Sequence, residues 1–182
     1  KLRSKDVTGA LTEFRKAVSI DPGQTEAQLN VAAISLSSRN YKQAEDAFQA
    51  VIKKLPNHLE ATIGMGVALR GQRKNDEAEN WYKKVLQIDA KNCGALYNLG
   101  LVYQDYKSGS TDDMNKGKEY YNKFITCERL DKEHVDDAKR RIKDIDDTFK
   151  ALEEARKLEE ELKKQQAEME RLMKQQEEQM KK

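Results

Sequence analysis

Four side chains in this sequence have the chemistry of a nucleophile, a metal ligand or a redox centre: Cys93, Cys127, His58 and His134. A cysteine nucleophile needs a base within hydrogen-bond reach and a third group to orient that base. Cys127 and His134 stand seven residues apart, a spacing that does not aim one at the other, and no third group accompanies them. Neither histidine sits at the spacing of a metal site. Gly64-Met65-Gly66 and Gly71 fall inside a helical hairpin rather than after a strand, so they are not a phosphate cradle. No catalytic residue, metal or cofactor is expected. That leaves the cysteines. Cys93 opens the first helix of a hairpin and Cys127 lies near the end of its second. Antiparallel pairing brings those ends together, within reach of the roughly 4.4–6.8 Å between Cα atoms that a disulfide requires. Either the two are bridged, which belongs to an oxidising compartment such as a periplasm, or they are buried thiols acting as small hydrophobes.

The elements that position these residues repeat every 34 positions. Ala10, Ala44 and Ala78 recur at one phase, with Phe14, Phe48 and Tyr82 four residues on and Ala17, Val51 and Val85 seven residues on. Ala32, Gly66 and Gly100 share a second phase, and Pro22, Pro56 and Ala90 a third. A fixed period of this length means stacked helical hairpins. Two antiparallel helices approach closely only where a side chain at the crossing is small, so Ala32, Gly66 and Gly100 are expected to meet Ala44 and Ala78. The aromatic one turn later is expected to fill the space between successive hairpins. Asp21-Pro22 and Leu55-Pro56 stop the second helices, because proline lacks an N–H and disfavours helical geometry in the residue before it.

With these positions in phase, the sequence resembles the tetratricopeptide repeat family. Residues 25–58 and 59–92 read as two full repeats, 1–24 as the tail of an earlier one and 93–131 as a third. Five extra residues lengthen the internal loop of the third repeat at 107–113, either for a local purpose or because a hairpin tip tolerates length. Other departures are Gln28 and Thr62, where the family carries a large aromatic, and Gly117 in place of alanine. The resemblance implies an all-α, right-handed solenoid of helix-turn-helix hairpins, here followed by a long C-terminal helix.

Composition agrees with such a shape. The chain has 182 residues, 37% hydrophobic and 36% charged, with a net charge of +2. Lysines and arginines alternate with acids instead of clustering, which argues against a nucleic-acid footprint. No apolar run approaches the roughly 20 residues of a membrane span. Lys1 falls within a hairpin's first helix, so the sequence reads as a piece of a longer chain, with any targeting segment or lipid anchor upstream.

From Asp131 onward there is neither glycine nor proline, and Asp131 is an N-cap for one helix of about 75 Å at 1.5 Å per residue. Val135, Ala138, Ile142, Ile145, Phe149 and Leu152 form a 3-4 stripe, so residues 131–152 are expected to cap the solenoid or pair as a short coiled coil. Residues 153–182 lose that phase. They read as a charged, solvated helix held by Glu153–Lys157, Glu159–Lys163, Glu160–Lys164, Glu170–Lys174, Glu177–Lys181 and Glu178–Lys182. That segment is either a frayed end or a partner-docking helix using Met169, Leu172, Met173 and Met180.

Function in the family lies on the concave face, lined by the first helices. Carried over, that face presents Glu26, Leu29, Ala33, Leu36, Glu60, Ile63, Val67, Arg70, Tyr97, Leu101 and Gln104. The subset of the family that clamps acidic chaperone tails uses lysine, asparagine and arginine. Here the matching positions are Leu29, Asn30, Ala33, Gly94 and Asn98, so that reading is disfavoured. The expectation is a non-enzymatic adaptor whose protein partner is anchored by Leu29, Ile63, Val67, Tyr97 and Leu101 and oriented by Arg70 and Asn98. Alternatively the chain's own long helix covers the groove, or the chain self-associates through that helix as a structural subunit. A narrower resemblance, carried by Ala95–Tyr103 and Lys118–Phe124, is to the repeat lipoproteins of deltaproteobacterial gliding-motility machinery, which implies a periplasmic scaffold attached to the outer membrane. A cytoplasmic adaptor is the other localisation.

Overall fold

The structure, a computed structural model, describes residues 4–21, 24–107, 109–128 and 130–180. Pro22 and Ser108 lie outside these, as do Lys1, Lys181 and Lys182. Among the described residues there are eight α-helices and no strand: α1 (Ser4–Ile20), α2 (Thr25–Ser37), α3 (Tyr41–Lys54), α4 (Leu59–Gly71), α5 (Asn75–Ile88), α6 (Cys93–Asp105), α7 (Thr111–Phe124) and α8 (Lys132–Met180). Helices α2 to α7 form three antiparallel hairpins. Each hairpin packs its first helix on the second helix of the one before, and α8 takes that same place on α7.

The helix ends follow from local chemistry. Side chains cap the first turns: Asn40 accepts from the Gln43 N–H, His58 from Ala61, Asn92 from Ala95 and Ser110 from Asp113. The Asp131 carboxylate accepts from the His134 N–H at 2.9 Å. The Ser110 cap starts α7 at Thr111, inside the stretch expected to be loop. Between the helices of the first two hairpins, Arg39 and Arg73 adopt left-handed backbone, with φ of 57° and 64°. There Asn40 N–H bonds Ser35 C=O and Lys74 N–H bonds Leu69 C=O, which closes the turn on the last orphan carbonyls. Ser4–Asp6 continue as helix at the phase where Ser38–Asn40 turn, so the described residues include no part of an earlier first helix.

The small residues do make close approach: Ala32, Ala44 and Ala78 share one core without exposure, and at the glycines the nearest neighbour is an aromatic ring. A Cβ on Gly66 would fall within the ring of Tyr82, one on Gly100 within Tyr121, and one on Gly64 within Phe48. Glycine is needed because an aromatic ring of the following or preceding helix lies flush against the backbone. In the third hairpin two small residues meet directly, the Gly117 Cβ position lying 3.5 Å from the Gly100 carbonyl oxygen. One core runs from Val31 to Tyr103. A second gathers Leu96, Leu101, Tyr121 and Phe124 around Ala138 and Ile145 of α8. The buried part of the α8 stripe ends at Phe149. Leu152 is already 47% exposed, and every described residue from Lys150 onward is exposed.

Candidate partner-binding groove

The concave lane is built by α2, α4 and α6, whose matching positions recur because each first helix has the same length and starts at the same phase. Leu29, Leu36, Ile63 and Val67 are half-buried, resting partly on the core, while Ala33, Glu26 and Glu60 are exposed. Arg70 donates to the Asn98 side-chain carbonyl at 3.3 Å, and the Tyr82 hydroxyl reaches the same oxygen at 3.4 Å. The two polar residues expected to orient a partner are therefore joined to each other, across α4 and α6. Burial pushes the Tyr82 hydroxyl up to about 12, so it stays neutral as a donor.

Tyr97 and Leu101 are placed differently from the other five. Leu101 is 7% exposed and belongs to the core shared with α8. The Tyr97 hydroxyl donates to the Asp137 carboxylate at 2.6 Å, and its ring packs against Phe124, Tyr121 and the edge of His134. Arg141 fixes the same corner, donating to Asp137 at 2.8 Å, to Gln104 at 3.0 Å and to Asp105 at 3.1 Å. Burial opposes ionisation of Asp137, but the bonds from Tyr97, Arg141 and Arg140 outweigh it and hold the carboxyl below its usual range. Burial and the Asp137 bond push Tyr97 up to about 12. The expected anchors at the α6 end of the lane are thus occupied by the chain's own last helix. An aromatic facing a lane is as well served by a neighbouring helix as by a foreign one, and residues 97 and 137 are too far apart in sequence for spacing to decide.

The cysteines are joined by a disulfide, with Cα atoms 6.2 Å apart, tying the start of α6 to the segment after α7. A cleft of about 540 Å³ beside it is lined by Lys91, Leu96 and Thr126. Both histidines have structural work, His58 as the cap of α4 and His134 against Asp131 and Tyr97. Among the described residues no group of three or more His, Cys, Asp or Glu could hold a metal ion. Nor is any helix long and apolar enough to cross a membrane.

A charged latch that spacing did not reveal lies between α5 and α6. Glu79, 6% exposed, accepts from Lys83, Lys107 and the Tyr103 hydroxyl, each at 2.5 Å. Burial raises the carboxyl, yet these three donors override it and hold it at about 2. One repeat earlier, Glu45 accepts from Gln72 at 2.7 Å and pairs with Lys74. The sequence signal was the recurrence of glutamate at positions 45 and 79, in phase with the alanines.

Two family models match, both described as tetratricopeptide repeats, one over residues 1–61 and one over 66–105. Protein O-mannosyl-transferase TMTC3 of Homo sapiens is 28% identical over 93 residues, half of this chain and 10% of that protein. DnaJ protein P58IPK homolog of Arabidopsis thaliana is 30% identical over 141 residues, 72% of this chain and 28% of that protein. The chain thus spans a tenth to about a quarter of these relatives. Among solved structures, a MamA protein superposes with a TM-score of 0.62 at 20% identity, covering 80% of each chain. MamA 41-end from Desulfovibrio magneticus RS-1 gives 0.60 at 23% identity, over 69% of this chain and 68% of that one. These likenesses show the fold.

Proposed function

The chain belongs to the tetratricopeptide repeat family, and we propose that it works as a non-enzymatic interaction scaffold, receiving a helix or extended segment of a partner protein along the lane of α2 and α4. The observation that carries this is the row of Leu29, Ile63 and Val67, half-buried and in phase on adjacent first helices, beside the exposed Ala33. An aliphatic row open to water is a docking surface when a partner completes its burial. Arg70 and Asn98 form its polar edge. Tyr97 and Leu101 act indirectly, by seating α8 at the end of the lane. The relatives named as enzymes match this chain only in part, over the repeats, and lend it no catalytic group.

A setting in a bacterial envelope, in an assembly of the gliding-motility type, is the finer form of the proposal. The Cys93–Cys127 disulfide supports it, since cytosolic thiols are kept reduced. Chain taken from its native cells under alkylating conditions should accept a thiol mass tag only after reduction; tagging without reductant removes the envelope setting. The groove is tested by crosslinking and pull-down with the intact protein, an Ile63→Ala/Val67→Ala variant and a Tyr97→Phe control. A partner held by the intact chain and the control but lost from the groove variant is the expected result. Retention by all three overturns the groove reading.

A further inference from the structure

The outer half of α8 is a regular helix with no neighbour, yet it is not featureless. The stripe docked on α7 uses Ala138, Ile145 and Phe149, and its spacing would continue through Arg156, Glu159 and Lys163. The apolar residues instead resume one position early, at Ala155, Leu158 and Leu162, which turns the second stripe about 100° around the helix. It therefore faces away from the surface that seats α8 and cannot be an extension of the cap. In its own register the stripe is a heptad seam: Ala155, Leu162, Met169 and Gln176 at the a positions, Ala151, Leu158, Gln165, Leu172 and Gln179 at d. Leu158 is 58% and Met169 62% exposed. Leu162, Gln165, Gln166, Met169, Glu170 and Met173 border a shallow hollow of about 330 Å³, and the first four stand at the a, d, e and a positions that surround a side chain from a facing helix.

The charges say which helix. Every lysine and arginine between Glu154 and Met180 falls at b, c or f: Arg156, Lys157, Lys163, Lys164, Arg171 and Lys174. The positions flanking the seam carry Glu154, Glu159, Glu161 and Glu168, with glutamine or methionine at the rest and no cation. Of these four, only Glu159 is drawn into an ion pair on its own helix, with Lys163 at 2.6 Å. A second copy laid parallel would set Glu154 against Glu159 and offer only glutamine or methionine to Glu161 and Glu168. A helix with lysine or arginine on its flanks would set opposite charges there, and flanking charges select coiled-coil partners.

We propose that residues 151–180 form one strand of a heterotypic coiled coil whose other strand is a partner helix with basic flanks. Gln165, Gln176 and Gln179, polar in the seam, fix its register. This interface lies beyond the concave lane and does not depend on it.

The test uses the full chain and two synthetic four-heptad peptides with leucine at a and d, one bearing lysine at e and g and the other glutamate. Fluorescence anisotropy at low salt should show the lysine peptide binding at least about tenfold more tightly, a margin that narrows at high salt. A Glu154→Lys/Glu161→Lys/Glu168→Lys variant, which keeps strong helix formers, should reverse the preference. Leu162→Asp/Leu172→Asp should abolish binding, with helicity followed by circular dichroism. The Ile63→Ala/Val67→Ala variant should bind like the parent, so a failure of the groove reading is separable from a failure here. Equal affinity for the two peptides, binding that survives the seam variant, or a tail-dependent dimer of the chain that excludes the lysine peptide would overturn the proposal.

Discussion

Arg39 and Arg73 hold the left-handed backbone that ends the first helix of their hairpins. That conformation costs an L-residue about 1–2 kcal/mol, and neither side chain is buried enough to compensate. Arg39→Gly and Arg73→Gly should each stabilise the solenoid by about 0.5–1 kcal/mol in urea unfolding, the gain reduced by glycine's freedom in the unfolded chain. A loss of stability would mean that the arginines contribute through contacts beyond the turn. Gly66→Ala should do the opposite. Its methyl would meet the fully buried Tyr82 ring, and the overpacking of about 1–3 kcal/mol outweighs a gain in helix propensity near 1 kcal/mol. These two kinds of position were unequally legible. A glycine returning in phase with aromatics announces close approach, although not that the ring itself would be the neighbour. An arginine at a helix end reads as a favourable charge on the dipole, so nothing in the sequence marks it as the residue that must turn left-handed.

Helix boundaries were largely written in the period and the caps, and the Asp131 cap and unbroken run after it announced α8. What the sequence did not convey is how α8 is fitted to one hairpin only. The second-helix position held by Glu45 and Glu79 in the first two hairpins is Lys118 in the third, after allowance for the longer loop, and Lys118 pairs with Asp146 of α8. Opposite charge at an otherwise repeated position favours α8 over another first helix at this end. Lys118→Glu should loosen α8 by less than about 1 kcal/mol, since the pair is partly exposed, and Asp146→Lys added to it should restore the docking. Hydrogen exchange across residues 138–149 measures both; equal exchange in all three proteins would remove the pair from the account. The disulfide acts on the same element, closing a loop across a sequence separation of 34. Its reduction should cost about 3–4 kcal/mol in the chain-entropy view, with protection lost first in α6 and α7. Among the tail pairs, Glu153–Lys157, Glu159–Lys163 and Glu170–Lys174 form at 2.6–2.9 Å. Glu160 turns to Arg156 instead of Lys164, and the pairs with Lys181 and Lys182 lie outside the described residues.

At the scale of the molecule, stability rests on how one hairpin is joined to the next, because a solenoid has only nearest-neighbour interfaces. The joint between the second and third hairpins carries the buried carboxylate of Glu79, held by Lys107 and Tyr103 of the next hairpin and by Lys83 of its own helix. Its carboxyl titrates at about 2 in the folded chain against 4.5 for the free side chain. A depressed carboxyl stabilises the fold fully above the unfolded value, so this contribution is present at neutral pH and is lost as pH falls from about 4.5 to about 2. The exposed rims at Asp76 and Lys83 screen the latch, which brings the expected loss to about 2 kcal/mol. Glu79→Gln should be less stable than the parent at pH 7, because it leaves Lys107 without its buried counterion, and the two stabilities should converge on acidification while other carboxylates affect both alike. Urea unfolding at pH 7, 4.5 and 3 decides it. Stability curves that stay parallel across that range would show that the joint is held by the apolar contacts of Tyr82, Val85 and Leu99 and not by the charge. Convergence would instead make Glu79 the point at which acid, below about pH 4.5, weakens the coupling of the α6–α8 end, with its docked helix and disulfide, to the lane formed by α2 and α4.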